Sequence, residues 1–202
     1  MTNARGSTVG PWLGALSLLA LLPFLAGTVP LVRFVRERID ITLESNEMVV
    51  SGHYVYKNPW PVPVTQGFTV PFPVDADHPM PTELMVAREA PSPAPIPVAY
   101  LMGRPGFELR FGPKEEIRVA VRFRQRAVKR DGCYLLTTTR PWRRPLESAV
   151  YTLRGEGVAP VWSNYALERK APGLWAFERT RFMPPADWRF SWETVPVSQP
   201  GG

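Results

Sequence analysis

Beyond residue 33, apolar and polar side chains alternate one by one in stretch after stretch, and nothing else in this chain restricts its fold so tightly. In Ile39-Asp-Ile-Thr-Leu43 the odd positions are apolar, and in Ile117-Arg-Val-Ala-Val-Arg-Phe123 they are apolar again. Successive side chains of a strand point to opposite faces, so this period of two describes half-buried strands and not helices. The signature recurs in MVVSGHYVYKN, QGFTVPF, TELMVARE, VAYLM, FELRF, CYLLTTTR, SAVYTLRG, VWSNYALERK, LWAFERTRF and WRFSWET, each bounded by Gly, Pro or Asp. Ten or more short strands with turn residues between them predict a mainly β fold, an antiparallel two-sheet, immunoglobulin-like sandwich. The likeness is architectural only, because the single cysteine, Cys133, rules out the Cys, Trp, Cys pattern of antibody domains and any internal disulfide.

Of the 24 prolines, eleven fall between Pro59 and Pro97, spaced every second residue in NPWPVPV and APSPAPIPV. Proline cannot donate to a ladder, so these stretches are expected as edge strands or stiff connectors. The run at 91–97 is a candidate division within a β domain spanning 33–195, and 196–202 reads as a tail.

Ahead of the β pattern the chain changes character. No charged residue occurs from Gly6 to Val32, and residues 12–32, WLGALSLLALLPFLAGTVPLV, form an apolar run of 21 after an N-terminal tail of 1–11. At about 1.5 Å per residue such a helix matches a bilayer core, which predicts an uncleaved transmembrane helix. Trp12 at one end and Arg33, Arg36 and Arg38 at the other suit the two interfaces. Pro23 and Pro30 would kink or end the helix, which neighbouring membrane helices can accommodate. The rival reading is a cleaved signal peptide; the long apolar run and weak small-x-small pattern near Ala26 and Gly27 argue against it. The three arginines after the segment outnumber Arg5 before it, which leans the folded domain towards the cytoplasm, but long domains translocate regardless and the periplasmic side stays open.

Residues able to do chemistry are few. His53 lies within an expected strand and reads as structural. Asp75, Asp77 and His78 could touch a cation, but they also make an ordinary polar turn before Pro79. Cys133 follows Asp131-Gly132, a hairpin signal, and is expected as a small packed side chain. No nucleophile elbow, phosphate loop, zinc-protease or dinucleotide motif is present, so no enzyme activity, metal or cofactor is expected.

The charge pattern is more telling, with 24 Lys and Arg against 18 Asp and Glu. Along the strand, Arg118, Arg122, Arg124 and Arg126 share one parity and face away from Ile117, Val119, Val121 and Phe123. At about 3.3 Å per residue this cationic stripe runs about 26 Å, and Arg140, Arg143 and Arg144 in TTTRPWRRPLE are candidates to extend it. A solvated face guarded against edge aggregation explains such a stripe, as does an anionic lipid surface or a protein partner. Nucleic acid fits poorly, since stacking aromatics are scarce among the arginines and no binding module is recognisable.

YLLTTTRPWRRPLESAVYTL, together with ITLESNEMVVSGHYVYKNPWPVPVTQGFTVPFPV, resembles bacterial single-span membrane proteins that carry a β-sandwich domain. The resemblance extends loosely over residues 33 to 195 and implies an accessory subunit of a photosynthetic or respiratory membrane complex, with other transmembrane subunits as partners. It carries over no functional residue. The functional expectation is therefore a non-catalytic single-pass scaffold, with a membrane-tethered module for an anionic ligand or lipid headgroup as the alternative.

Overall fold

The computed structural model describes residues 30–101 and 103–195. Fourteen strands occupy most of that span: β1 (Arg33–Leu43), β2 (Glu47–Lys57), β3 (Val64–Thr69), β4 (Thr82–Ala90), β5 (Ala94–Pro95), β6 (Ala99–Leu101), β7 (Arg104–Phe111), β8 (Glu116–Arg126), β9 (Asp131–Tyr134), β10 (Leu146–Arg154), β11 (Val158–Ser163), β12 (Glu168–Ala171), β13 (Leu174–Phe182) and β14 (Trp188–Thr194). The fold is mainly β.

The sheets are arranged differently from the expected pair. An eight-stranded sheet runs β12-β13-β10-β1-β2-β8-β4-β5, and two three-stranded sheets run β11-β14-β9 and β3-β7-β6. The antiparallel expectation also fails at one ladder, because β1 and β10 run parallel, from Arg36 beside Ser148 to Thr42 beside Arg154. Alternation says which side chains turn inward; it says nothing about which strand lies alongside or in which direction it runs. Strands from both sides of the proline run share the large sheet, with β1 beside β10 and β2 beside β8. The run itself contributes β5, the outermost strand at one edge, where a missing N–H donor costs no ladder bond.

Two stretches expected as continuous strands are interrupted. CYLLTTTR leaves β9 at Tyr134 and winds into a 3-10 helix, Leu136–Trp142. There the hydroxyls of Thr138 and Thr139 donate to the carbonyls three residues back, offering the backbone a local alternative to a ladder. VWSNYALERK breaks between β11 and β12, where Asn164 binds the backbone of Arg189 and Asp187 through its own N–H and side chain.

One face of the large sheet forms the core. Ile39, Ile41 and Leu43 of β1, Met48 and Val50 of β2, Ile117 and Val119 of β8, and Tyr151 and Leu153 of β10 are all buried. The two small sheets cover this face side by side, each through an aromatic cluster. On one side Tyr56 meets Phe68 at 4.6 Å, Phe68 stacks on Phe107 at 5.0 Å, and Trp142 of the 3-10 helix packs on Phe34 and Tyr56. On the other, fully buried Trp188 meets Phe177 at 5.0 Å, Phe190 at 4.9 Å and Tyr151 at 5.8 Å. Gln125 takes an inward position at the end of β8, and its side-chain amide donates to the carbonyls of Pro73 and Pro79, tying the proline-rich segment over the core.

Candidate functional site

The opposite face of the large sheet is the candidate site. No described element packs across it, and its hydrogen bonds run between strands of the same sheet or to the turns that join them. Arg118, Arg122, Arg124 and Arg126 all lie on β8 and turn to this face, as their shared parity requires. β1 adds Arg36 and Arg38, so that Arg36 and Arg118 flank Val55 on the intervening β2.

The arginines are not equivalent. Arg124 reaches Glu44 at 2.6 Å, Glu47 at 2.8 Å and Glu83 at 3.7 Å, and those carboxylates hold its guanidinium more firmly protonated than usual. Arg36 pairs with Glu116 at 2.7 Å, and Arg38 forks onto Asp40 at 2.7 and 3.1 Å. Burial works to raise the Asp40 carboxyl, but the bonds from Arg38 and Thr152 bring it below the ordinary range. Arg118 and Arg122 are exposed, and among the described residues no carboxylate lies within ion-pair distance of either. The stripe is therefore partly self-neutralised around Arg124, and its free charge sits on Arg118 and Arg122 and on Arg126, which is likewise exposed and outside ion-pair distance of any described carboxylate.

Between β10 and β4 the face dips into an open basin of about 560 Å³. Its floor includes Val55 and Val150, and around them stand Arg36, Arg38, Arg118 and His53, with Asp40 and Glu89 among the cations. His53 Nδ1 lies 2.8 Å from Glu89 Oε1, while the other oxygen of Glu89 is buried without a hydrogen-bond partner. Three guanidinium groups around a small apolar floor can receive a flat or branched anion through charge-assisted hydrogen bonds.

Beneath this floor lies a group that reading for motifs passes over. Glu37 occupies an inward position of β1 and is buried at 6% exposure, where the Tyr151 hydroxyl donates to it. Desolvation pushes its carboxyl up to about 7, against the lowering effect of the Tyr151 bond. Tyr54 and Tyr134, whose hydroxyl oxygens are 2.5 Å apart, line the same seam between the two aromatic clusters. The signal was available: Glu37 shares the parity of Ile39, Ile41 and Leu43, so the alternation places a carboxylate inside.

The other candidates are dispersed. Arg140, Arg143 and Arg144 belong to the 3-10 helix and its C-terminal turn, which pack on the core side of the large sheet through Trp142, so they do not extend the β8 stripe. Arg140 instead donates to the Pro185 carbonyl. His78 is 5% exposed with both ring nitrogens engaged, Nδ1 with Asp75 at 2.9 Å and Nε2 with the Asp131 carbonyl at 3.0 Å, and Asp77 pairs with Lys129 at 2.7 Å. That is the polar turn, and among the described residues no three His, Cys, Asp or Glu side chains converge on one point. Cys133 is buried, and burial pushes its thiol up. Trp12 and Pro23, and all of the apolar run except Pro30, Leu31 and Val32, lie outside the described residues; Arg33 and Arg36 open β1. No described helix is long and apolar enough to cross a membrane.

No family model matches the chain, and neither does any curated protein. Among solved structures the fold is similar to a candidate nutrient binding protein from Legionella pneumophila, with a TM-score of 0.66 and 13% identity over 83% of this chain and 68% of that one. An M1 zinc metallopeptidase from Deinococcus radiodurans overlaps less well, at a TM-score of 0.45 and 9% identity over 79% of this chain and 42% of its own. Yeast LTA4 hydrolase gives 0.49 and 8% over 81% and 29%. At these identities the first similarity bears on the fold alone, and the other two are too distant to bear on anything further.

Proposed function

We propose that this protein is a non-catalytic, single-pass accessory subunit of a larger membrane complex. In this reading the apolar run 12–32 supplies its anchor, with Val32 already packed into the β core, and its sheets brace neighbouring subunits. The observation that carries it is the uncovered face of the eight-stranded sheet, where Arg118 and Arg122 stand without ion pairs beside half-buried and apolar positions such as Val55, Val150 and Met85. Arginine beside apolar surface is the composition of energetically dominant interface positions. The three arginines after the anchor lean this reading towards a cytoplasmic head, with the periplasmic side as the alternative. Gentle detergent extraction followed by native sizing and identification of copurifying chains tests it. Other membrane subunits should elute with the protein, and a lone species at 22.7 kDa plus its detergent would sink the reading.

The basin supports a second reading, a tethered module for an anionic ligand held by Arg36, Arg38 and Arg118. Titration of the whole chain with inorganic phosphate and with a dicarboxylate, compared with Arg118→Glu, separates the two.

A further inference from the structure

We propose that the end of the domain from which β1 emerges is a bilayer contact, built by Leu31, Trp60 and Val62 with Lys114, Arg143 and Arg144 around them; this rests on the reading of residues 12–32 as an uncleaved anchor. Leu31, Trp60 and Val62 are 50%, 51% and 55% exposed. Single exposed apolar side chains are ordinary, but these three are presented together by a polar scaffold.

Asn58, fully buried, builds that scaffold. Its side-chain amide donates to the carbonyls of Val62 and Gly112 at 2.8 and 2.7 Å, and its oxygen accepts the Trp60 backbone N–H at 2.9 Å. Lys114 closes the loop, its ammonium donating to the Pro59 carbonyl and its backbone N–H to that of Trp60. The loop then grips the chain entering β1. The Trp60 indole N–H donates to the Leu31 carbonyl at 2.8 Å, and the Leu31 N–H donates to Gln66 at 2.8 Å. A tryptophan thus fastens the last residues of the uncharged run while leaving half its surface outside.

The basic residues lie at the same end. β10 starts beside the start of β1 in parallel register, so the turn before it, with exposed Arg143 and Arg144, flanks the exit; Trp142 packs on Phe34 at 5.7 Å. Of the carboxylates there, Glu147 and Glu116 are engaged by Arg33 and Arg36, and Glu115 accepts the Gly112 N–H. An indole at headgroup depth ringed by unpaired cations is the composition that membrane interfaces favour.

The geometry also sets a posture. With β1 rising from the lipid, the strands stand on end, and the β8 stripe runs from Arg118, two residues from that end, to Arg126, about 26 Å farther away and well beyond a Debye length of about 8 Å. Arg122, Arg124 and Arg126 are then offered sideways to a neighbouring subunit and not down to headgroups.

The test uses the full chain in a Cys133→Ser background, reconstituted in phosphatidylcholine vesicles. A polarity-sensitive dye is placed at Val62→Cys or, at the opposite end, at Val128→Cys. Both positions are exposed, and Val128 lies beside the turn that joins β1 to β2, where Ala127 bonds Asn46. A blue shift at 62 with none at 128 is expected. Shifts at both positions would mean that the sheet lies flat and would overturn the proposal. No shift at 62 in chains that survive an alkaline wash of the vesicles overturns the contact while keeping the anchor. Release by that wash removes the anchor reading, and the contact with it.

Discussion

The two faces of the eight-stranded sheet are made of the same strands and obey opposite rules. Inward positions are filled by aliphatic and aromatic side chains locked in ring-to-ring contact, and the one carboxylate among them on β1 is held near neutrality by burial. Outward positions carry mostly charged side chains with a few apolar ones between them, and of their arginines Arg36, Arg38 and Arg124 are ion-paired in solvent while Arg118 and Arg122 are not. Stability resides in the first face and, in the proposed reading, recognition in the second, so substitutions should separate the two properties cleanly.

The sharpest contrast is Trp188→Ala. It removes a fully buried indole from contact with Phe177, Tyr151 and Phe190. A loss of about 3–5 kcal/mol is expected from urea denaturation of the chain in detergent.

Next comes pH. The Glu37 carboxyl is raised from 4.5 to about 7 in the folded chain, so the folded state holds its proton where the unfolded state has lost it. Its stabilising contribution is present in full below about 4.5 and disappears as pH rises through about 7, a change of about 3 kcal/mol in all. Glu37→Gln should flatten the urea midpoint across that window; an unaltered slope would show that Glu37 does not titrate there.

A smaller inner-face effect is expected at Gly52. A Cβ there would collide with the Tyr54 ring, which folds over the glycine to reach Tyr134, so Gly52→Ala must displace the ring and strain the hydroxyl pair. Overpacking of this kind costs about 1–3 kcal/mol, and a neutral result would mean that the ring moves freely.

On the outer face the effects fall away. Arg124→Ala should lower stability slightly, and added salt should shrink the difference, because three carboxylates, two exposed and one half-buried, lose one shared cation. The pair Arg118→Glu and Arg122→Glu should leave the urea midpoint unchanged yet strip copurifying subunits from the chain. Unchanged partners would remove this face as the interface.

The same division explains what the sequence makes legible. Alternation locates β1, β2, β8, β10, β13 and β14, because burial of one face repeats with the pleat. It cannot disclose that β10 lies parallel to β1, or that two small sheets share the work of covering one large one, since these are choices among strands with equivalent patterns. The threonine run 137–139 reads as strand by composition and is turned to 3-10 helix by hydroxyls bonding their own backbone. At the candidate face, parity places Arg118 through Arg126 together, but the carboxylates that quench Arg124 come from residues 44, 47 and 83 and emerge only on folding. Arg143 and Arg144 join Trp60 at one end of the molecule because of strand direction, which a linear pattern does not contain.

β1 holds the middle of the large sheet, laddered to β2 on one edge and to β10 on the other, and it is also the strand that continues directly from the segment before Pro30. Any tension applied through that segment is delivered lengthwise along β1, so the backbone bonds on both edges share the load together instead of peeling open singly from an end. If the segment before Pro30 is the proposed anchor, a head fastened this way would resist being dragged by it and would keep its posture under load.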